Sequence, residues 1–495
     1  MNHRTLIMPA VILAGLLGAS SALAAETSPT EQCPAPEPTS CDKLNAGGSS
    51  AATPFMGQVP LFVLDQPNGT TITHYPIEYI NGDIAGPPAI SHNKLWVWTG
   101  TRNGRPTIIR YEATGSSDGY KKLQQPTTNP LSNMTYLDHT GLTGCTLTPG
   151  LQGTAPHQYW LYTGCTATYT TYETMGFADV GAKTFHQTSP GLCSGVPCTI
   201  TVTPFNETGI TEHQVVMVPW SIMLGAAVQR EVSPGVYQNV KGLSRTEVEA
   251  IFSGNVYDWT QLGLVSMNTD GTVNDTYPNA PITLCLRQAG SGSKASFNVT
   301  VMKDVGETTS GSVDLTDPTD GGYYFGASTQ DVEDCIQGNS GLSRPAHPDA
   351  AGYIDADQER LTSAGGGVNI ASCGASCPWN GKPSFYAVAL NGLLARDTSL
   401  TDPQINVKCG QYLYWAGERE NTHTGTDPNI DGSASTGPEH DLQTAFINAS
   451  GSQSVVSLLP AGAYWVPKAS MYVSKNSDPG PMLFPGQANP CNTLD

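Results

Sequence analysis

Charge is scarce in this chain, and basic charge scarcest. Only 13% of the 495 residues are charged, and 23 lysines and arginines face 42 aspartates and glutamates. The net charge of −19 is spread along the chain rather than gathered in a tail. Nucleic acid is therefore not an expected partner, because its phosphates demand basic patches. An anion bound here must be held by local dipoles and a few placed cations, not by the overall field. No apolar run reaches the roughly 20 residues that a bilayer-spanning helix needs. Internal repeats and long low-complexity runs are also missing. Metal motifs are incomplete. Cys373-x-x-x-Cys377 has no second pair to complete four ligands. Asp427-x-Asn429-x-Asp431-Gly432 begins like a calcium loop, but its twelfth position is Pro438, with Glu439 one place late. The expectation is no metal and no cofactor.

What is present is turn-rich: 53 Gly and 37 Pro. Residues 1–24 read as a secretory signal, with His3 and Arg4, an apolar Leu6–Leu17 and a small-residue cleavage site at Ala22-Leu23-Ala24. No lipobox cysteine follows, so the mature chain is expected to be periplasmic or secreted. The 12 cysteines, an even number, fit an oxidising compartment. Close pairs are Cys33/Cys41, Cys193/Cys198 and Cys373/Cys377. Cys145/Cys165, Cys285/Cys335 and Cys409/Cys491 are plausible longer bridges, although spacing does not fix connectivity. Residues 25–58 read as a Pro/Ser/Thr-rich surface leader, with ordered structure expected from about Val59; the first lobe proper is expected from residue 76.

Two stretches share one pattern. Leu284–Phe297, L-C-L-R-Q-A-G-S-G-S-K-A-S-F, reads as a strand, then Arg287, then a Gly290-Ser291-Gly292-Ser293 turn, then a helix. Such a turn places N–H groups at a helix N-terminus, which favours an anion, beside a forked guanidinium suited to oxyanions. Ile109–Leu123 repeats the order strand, Gly/Ser turn, helix. Its Gly115-x-Ser117-x-Gly119 also matches a nucleophile elbow. A triad needs an acid and a histidine as well. None of the downstream histidines sits in a recognisable setting, and no His-Gly-Gly segment precedes the elbow. Thr171–Val180 ends in Asp179. His213–Glu231 reads as two apolar strands broken by Pro219. Leu243–Gly263 is a helix pattern with a Ser244/Glu247 capping box, stopped at Gly254. Glu418–Asp441 and the C-terminal tail read as surface elaborations.

The run L-S-R-x-x-V-x-x-I-F-S-G-x-x-x-D-W-x-Q-L-G, leading into Arg287, Gly290-Ser291-Gly292-Ser293 and Phe297, resembles the periplasmic phosphate-binding proteins of ABC importers. Tyr111-x-x-x-Gly115-Ser116-Ser117-x-Gly119-x-Lys121 is similar to that family's first serine loop. Phe177-Ala178-Asp179 is similar to its acidic strand end, and Val215–Val228, Ala351–Ile354 and Val388–Trp415 to its later strands. The likeness spans about residues 76–415 in dispersed motifs.

The resemblance implies an α/β, two-lobed periplasmic-binding-protein fold with a hinge and a cleft between lobes. Lobe one would be 76–220 with 409–495, and lobe two 221–408. It implies a monomer that performs no chemistry, captures inorganic phosphate or another oxyanion, and hands it to importer membrane subunits. By the same resemblance Ser116 and Ser117 would contribute from lobe one. Asp179 would accept a ligand proton and face Arg287, and Ser291, Gly292 and Ser293 would donate from lobe two. The Asp83-Ile84-Ala85 turn would stand where the family's first ligand loop lies. Where that family carries an Asp two residues after the Arg, this chain has Ala289. Two other readings remain: an extracellular structural or partner-binding protein with the same fold, and a secreted serine hydrolase using Ser117.

Overall fold

The structure is a computed structural model. It describes residues 28–34, 40–68, 71–81, 94–124, 133–140, 144–193, 196–303, 307, 321–339, 343–356, 366–369, 383–423, 437–458, 464–475, 482–483 and 491. The secretory-signal segment 1–24, the Asp83-Ile84-Ala85 turn, Cys373/Cys377 and most of the calcium-like loop lie outside these residues.

The fold is mixed α/β around a large central sheet. One long strand, Ile210–Gly225, organises it. Its first part pairs with Trp415–His423, from Ile210↔His423 to Pro219↔Trp415. At Trp220 it changes partners, pairing antiparallel with Ala350–Asp355 on one side and Pro383–Leu390 on the other. Pro219 was expected to break this segment in two. Instead it stands at the changeover and the strand continues through it. Proline's missing N–H is tolerated where a ladder changes.

The first half-sheet contains three adjacent parallel strands, Arg105–Ala113, Asp42–Gly48 and Met175–Ala178, with Asp42–Gly48 in the middle. The second contains three more: Ala350–Asp355, Thr283–Arg287 and Tyr323–Gly326. In open α/β sheets the carboxyl ends of such strands are where ligands bind. Here those ends deliver Ser49, Ser116 and Asp179 from one half, and Arg287, Thr329 and Asp355 from the other.

One apolar core runs through both halves and includes Tyr111, Phe177, Trp220, Phe297, Tyr353 and Trp415. The helix Gly292–Thr300 is fixed to it by Phe297, whose ring stacks on Tyr353 at 4.4 Å and lies 5.3 Å from Tyr414. The helix Arg245–Phe252 carries the expected Ser244/Glu247 capping box and buries Val248, Ile251 and Phe252. Among the described residues the proposed disulfides are formed at Cys33–Cys41, Cys145–Cys165, Cys193–Cys198, Cys285–Cys335 and Cys409–Cys491.

Two further expectations are corrected. Residues 25–58 are not simply a surface leader, because Asp42–Gly48 is a buried strand at the centre of a half-sheet. Nor is the start of Glu418–Asp441 an elaboration. Glu418, Arg419, Glu420 and Asn421 are buried in the strand Trp415–His423, between Met175–Ala178 and the long strand. The helix Pro438–Ser450 then packs Phe446 edge-on against Phe177.

That buried strand carries acids in unfavourable surroundings. Burial raises Glu420 from its ordinary 4.5 to about 8. A carboxyl held neutral in the fold contributes fully below about pH 4.5, and its contribution is lost as the pH rises toward 8, where the unfolded chain is ionised. Glu420→Gln is neutral throughout. Its stability relative to wild type should therefore increase from pH 5 to pH 8 by a few kcal/mol, at about 1.4 kcal/mol per pKa unit. Urea unfolding at the two pH values measures this; parallel pH profiles would contradict a Glu420 held neutral by burial.

Candidate functional site

The two strand–turn–helix elements expected from sequence meet directly. From the first half, Gly115 starts the short helix Ser116–Lys121. From the second, Ser291 caps Gly292–Thr300, its Oγ accepting the Lys294 N–H. Across the seam the Ser117 N–H donates to the Gly290 carbonyl at 3.0 Å. Gly292 packs against the opposite wall. A methyl group there would lie 2.6 Å from both Asp179 Oδ2 and Ser116 Oγ, so only glycine permits this approach.

Around that contact lie buried polar groups. Ser116, Asp179, Arg287, Ser291 and Ser293 are all at most 5% exposed. Ser116 Oγ accepts the Asp179 N–H at 3.3 Å. Ser291 and Ser293 share a hydroxyl hydrogen bond of 2.7 Å. Arg287 Nη1 donates to Ser293 Oγ at 3.4 Å and to Thr329 Oγ1 at 3.0 Å, and its Nη2 to the Ala327 carbonyl at 3.3 Å. Its Nε is buried without a hydrogen-bond partner. The amides of Gly292 and Ser293, in the first turn of their helix, have no intrahelical acceptor. Lys294 does not serve the cleft: it pairs with Glu307 and lies over the Phe325 ring.

Asp179 and Arg287 have separate partners among the described residues. Asp179 accepts from Ser49 Oγ, and Arg287 turns to Thr329. Among the described residues Arg287 makes no ion pair. Its link to an acid is indirect, through Thr329 Oγ1, which donates to Asp355 Oδ2 at 3.2 Å. Glu418 lies on the far side of Ser49. Burial raises its pKa well above the ordinary carboxylate range, and the negative charge of Asp179 raises it further.

Ser49, Thr329 and Glu418 escaped the sequence reading. Ser49 follows Gly47-Gly48 at the end of a strand, the same Gly/Ser signature seen at 115–117 and 290–293. Thr329 follows Ser328, which forms a capping box with Asp331, a pattern visible in sequence. Nothing in the sequence places Glu418 beside Asp179. For the hydrolase reading, Ser117 borders the site, but among the described residues no histidine hydrogen-bonds to it.

No family model matches the chain, and no curated protein does. Solved structures are similar at low identity. A putative phosphate ABC transporter substrate-binding protein with bound phosphate from Clostridium perfringens is 14% identical, with a TM-score of 0.40, over 86% of this chain and 99% of that one. PstS from Borrelia burgdorferi is 12% identical, with a TM-score of 0.33, over 86% and 98%. A possible phosphate binding protein from Planctomyces limnophilus is 12% identical, with a TM-score of 0.33, over 87% and 95%. At such distances no residue role passes from them to this chain.

Beside the seam is a cavity of about 560 Å³ bordered by Arg287, Ala289, Gly290 and Ser117. Its roof is the hairpin Gln187–Cys193/Val196–Val202, docked where Ser189 Oγ accepts the Ala289 N–H at 2.7 Å and Gln187 Oε1 the Gly290 N–H at 2.9 Å. Because Gly292 has no space for a side chain, Gly292→Ala should force the two walls apart. A destabilisation of about 1–3 kcal/mol, the range for overpacking, is expected in chemical denaturation; a change below a few tenths would contradict the close packing.

Proposed function

We propose that this protein is an exported solute-binding protein that captures an oxyanion, phosphate foremost, between its two half-sheets and delivers it to an ABC importer. One observation carries the reading: among the described residues, Arg287 is a buried guanidinium with no carboxylate partner and an unused Nε. A buried charge without a counter-ion costs several kcal/mol. An oxyanion accepting the guanidinium's N–H groups offsets that cost through charge-assisted hydrogen bonds. Ser291, Ser293 and the first-turn amides of Gly292 and Ser293 supply neutral donors, and a helix N-terminus adds its dipole. Ser117 lines the cavity from the other wall, and Ser116 and Ser49 stand at the neighbouring strand ends. Asp179 supplies an acceptor for a ligand proton, which favours phosphate over fully ionised sulfate even with Ala289 in place of a second carboxylate. The arrangement binds and desolvates; it contains no activated nucleophile, and capture without catalysis is the reading it supports. Transfer to an importer rests on the motif resemblance.

Calorimetry with phosphate, arsenate and sulfate tests the proposal. Phosphate and arsenate should bind and sulfate should bind more weakly. Arg287→Ala should weaken phosphate by at least about a hundredfold, the scale of a buried charge pair losing one member. No heat with any of the three, or an Arg287→Ala protein as tight as wild type, would sink the assignment.

A further inference from the structure

The cavity beside Arg287 is larger than a bare oxyanion requires. Pockets of about 300–1,000 Å³ enclose organic ligands, and this one holds about 560 Å³. Its chemistry is divided. At the inner end are Arg287 and Ser291; along the roof and side are Leu192, Ile200, Val202 and Phe205; near the short helix are Asp118 and Lys121. Leu192 is 43% exposed, an apolar side chain on the cavity wall with little to cover it. Ala289 is also part of the lining. A carboxylate at that position would narrow the cavity and set a negative charge in its wall, whereas a methyl group leaves it open and neutral.

We propose that this cavity receives the organic group of a phosphomonoester, so that the ligand is an ester of the oxyanion rather than the free ion. The inference rests on the oxyanion reading of Arg287. The phosphoryl oxygens meet the guanidinium and the Ser291–Ser293 turn. The ester oxygen points outward past Gly290, and the organic group lies under the hairpin against Leu192, Ile200 and Val202. Burying apolar surface there adds affinity that a free ion cannot obtain.

Calorimetry on the whole protein with phenyl phosphate and with inorganic phosphate tests this. Phenyl phosphate should bind at least about tenfold tighter. Val202→Trp and, separately, the more exposed Leu192→Trp fill the cavity from its wall; each should remove that preference while leaving inorganic phosphate within about twofold of wild type. If inorganic phosphate binds and phenyl phosphate binds no tighter, the ester proposal is overturned and the oxyanion reading stands. A tenfold preference that survives both tryptophans would also overturn it, since the organic group would then lie elsewhere. If neither compound binds, the oxyanion reading fails and the ester proposal with it.

Discussion

A guanidinium taken out of water must find negative charge or hydrogen-bond acceptors. Arg287 sits at the carboxyl end of a central parallel strand, 4% exposed. Its partners there are two hydroxyls and one carbonyl, all neutral. Much of the surrounding structure serves to hold it so. Phe297, Tyr353 and Tyr414 lock the helix that follows it, the Tyr414 hydroxyl donates to the Ser293 carbonyl at 3.0 Å, and Thr329 holds the guanidinium at the distance of a relay from Asp355. Among the described residues no carboxylate pairs with this positive charge, which is the condition for an anion to matter.

The opposing wall has a complementary character. Three parallel strands end together and offer Ser49, Ser116 and Asp179, with Glu418 behind them. Burial favours the neutral form of Glu418, so negative charge at this wall does not accumulate although acids are numerous. The composition does not conflict with the proposed function: in a chain of net charge −19 the local field at the seam can differ in sign from the global one.

The legible parts of the sequence were those with a local mechanism. The capping box at Ser244, the strand–turn–helix elements around Arg287 and Ser116, and the pairing of close cysteines each follow from short-range chemistry. The strand Asp42–Gly48 was hidden because it shows no alternating pattern. Leu44 is its one large apolar residue, and the strand ends in two glycines. Gly48 sits at φ +123° with its would-be side chain directed into the Phe177 carbonyl, so close packing between parallel strands selects against the residues that normally announce a strand. The buried Glu418–Asn421 was unreadable for the opposite reason. Charged residues there resemble a solvated edge, and only the tertiary fold puts them between two strands. Asp179 and Arg287 both lie buried at the seam, but their separate partners depend on Ser49 and Thr329, which reach it from distant parts of the chain.

Under the proposed function Arg287 is a charge awaiting an anion. Chemical unfolding of protein stripped of anions, with phosphate then titrated in, addresses it most directly, for wild type and Arg287→Met. Wild type should gain about 2.7 kcal/mol when phosphate reaches a hundred times its dissociation constant. The stripped Arg287→Met protein should be at least as stable as stripped wild type, because an uncompensated buried charge has been replaced by an apolar side chain, and phosphate should leave it unchanged. A stripped variant several kcal/mol less stable than wild type, still responding to phosphate, would contradict the claim and make Arg287 a structural residue.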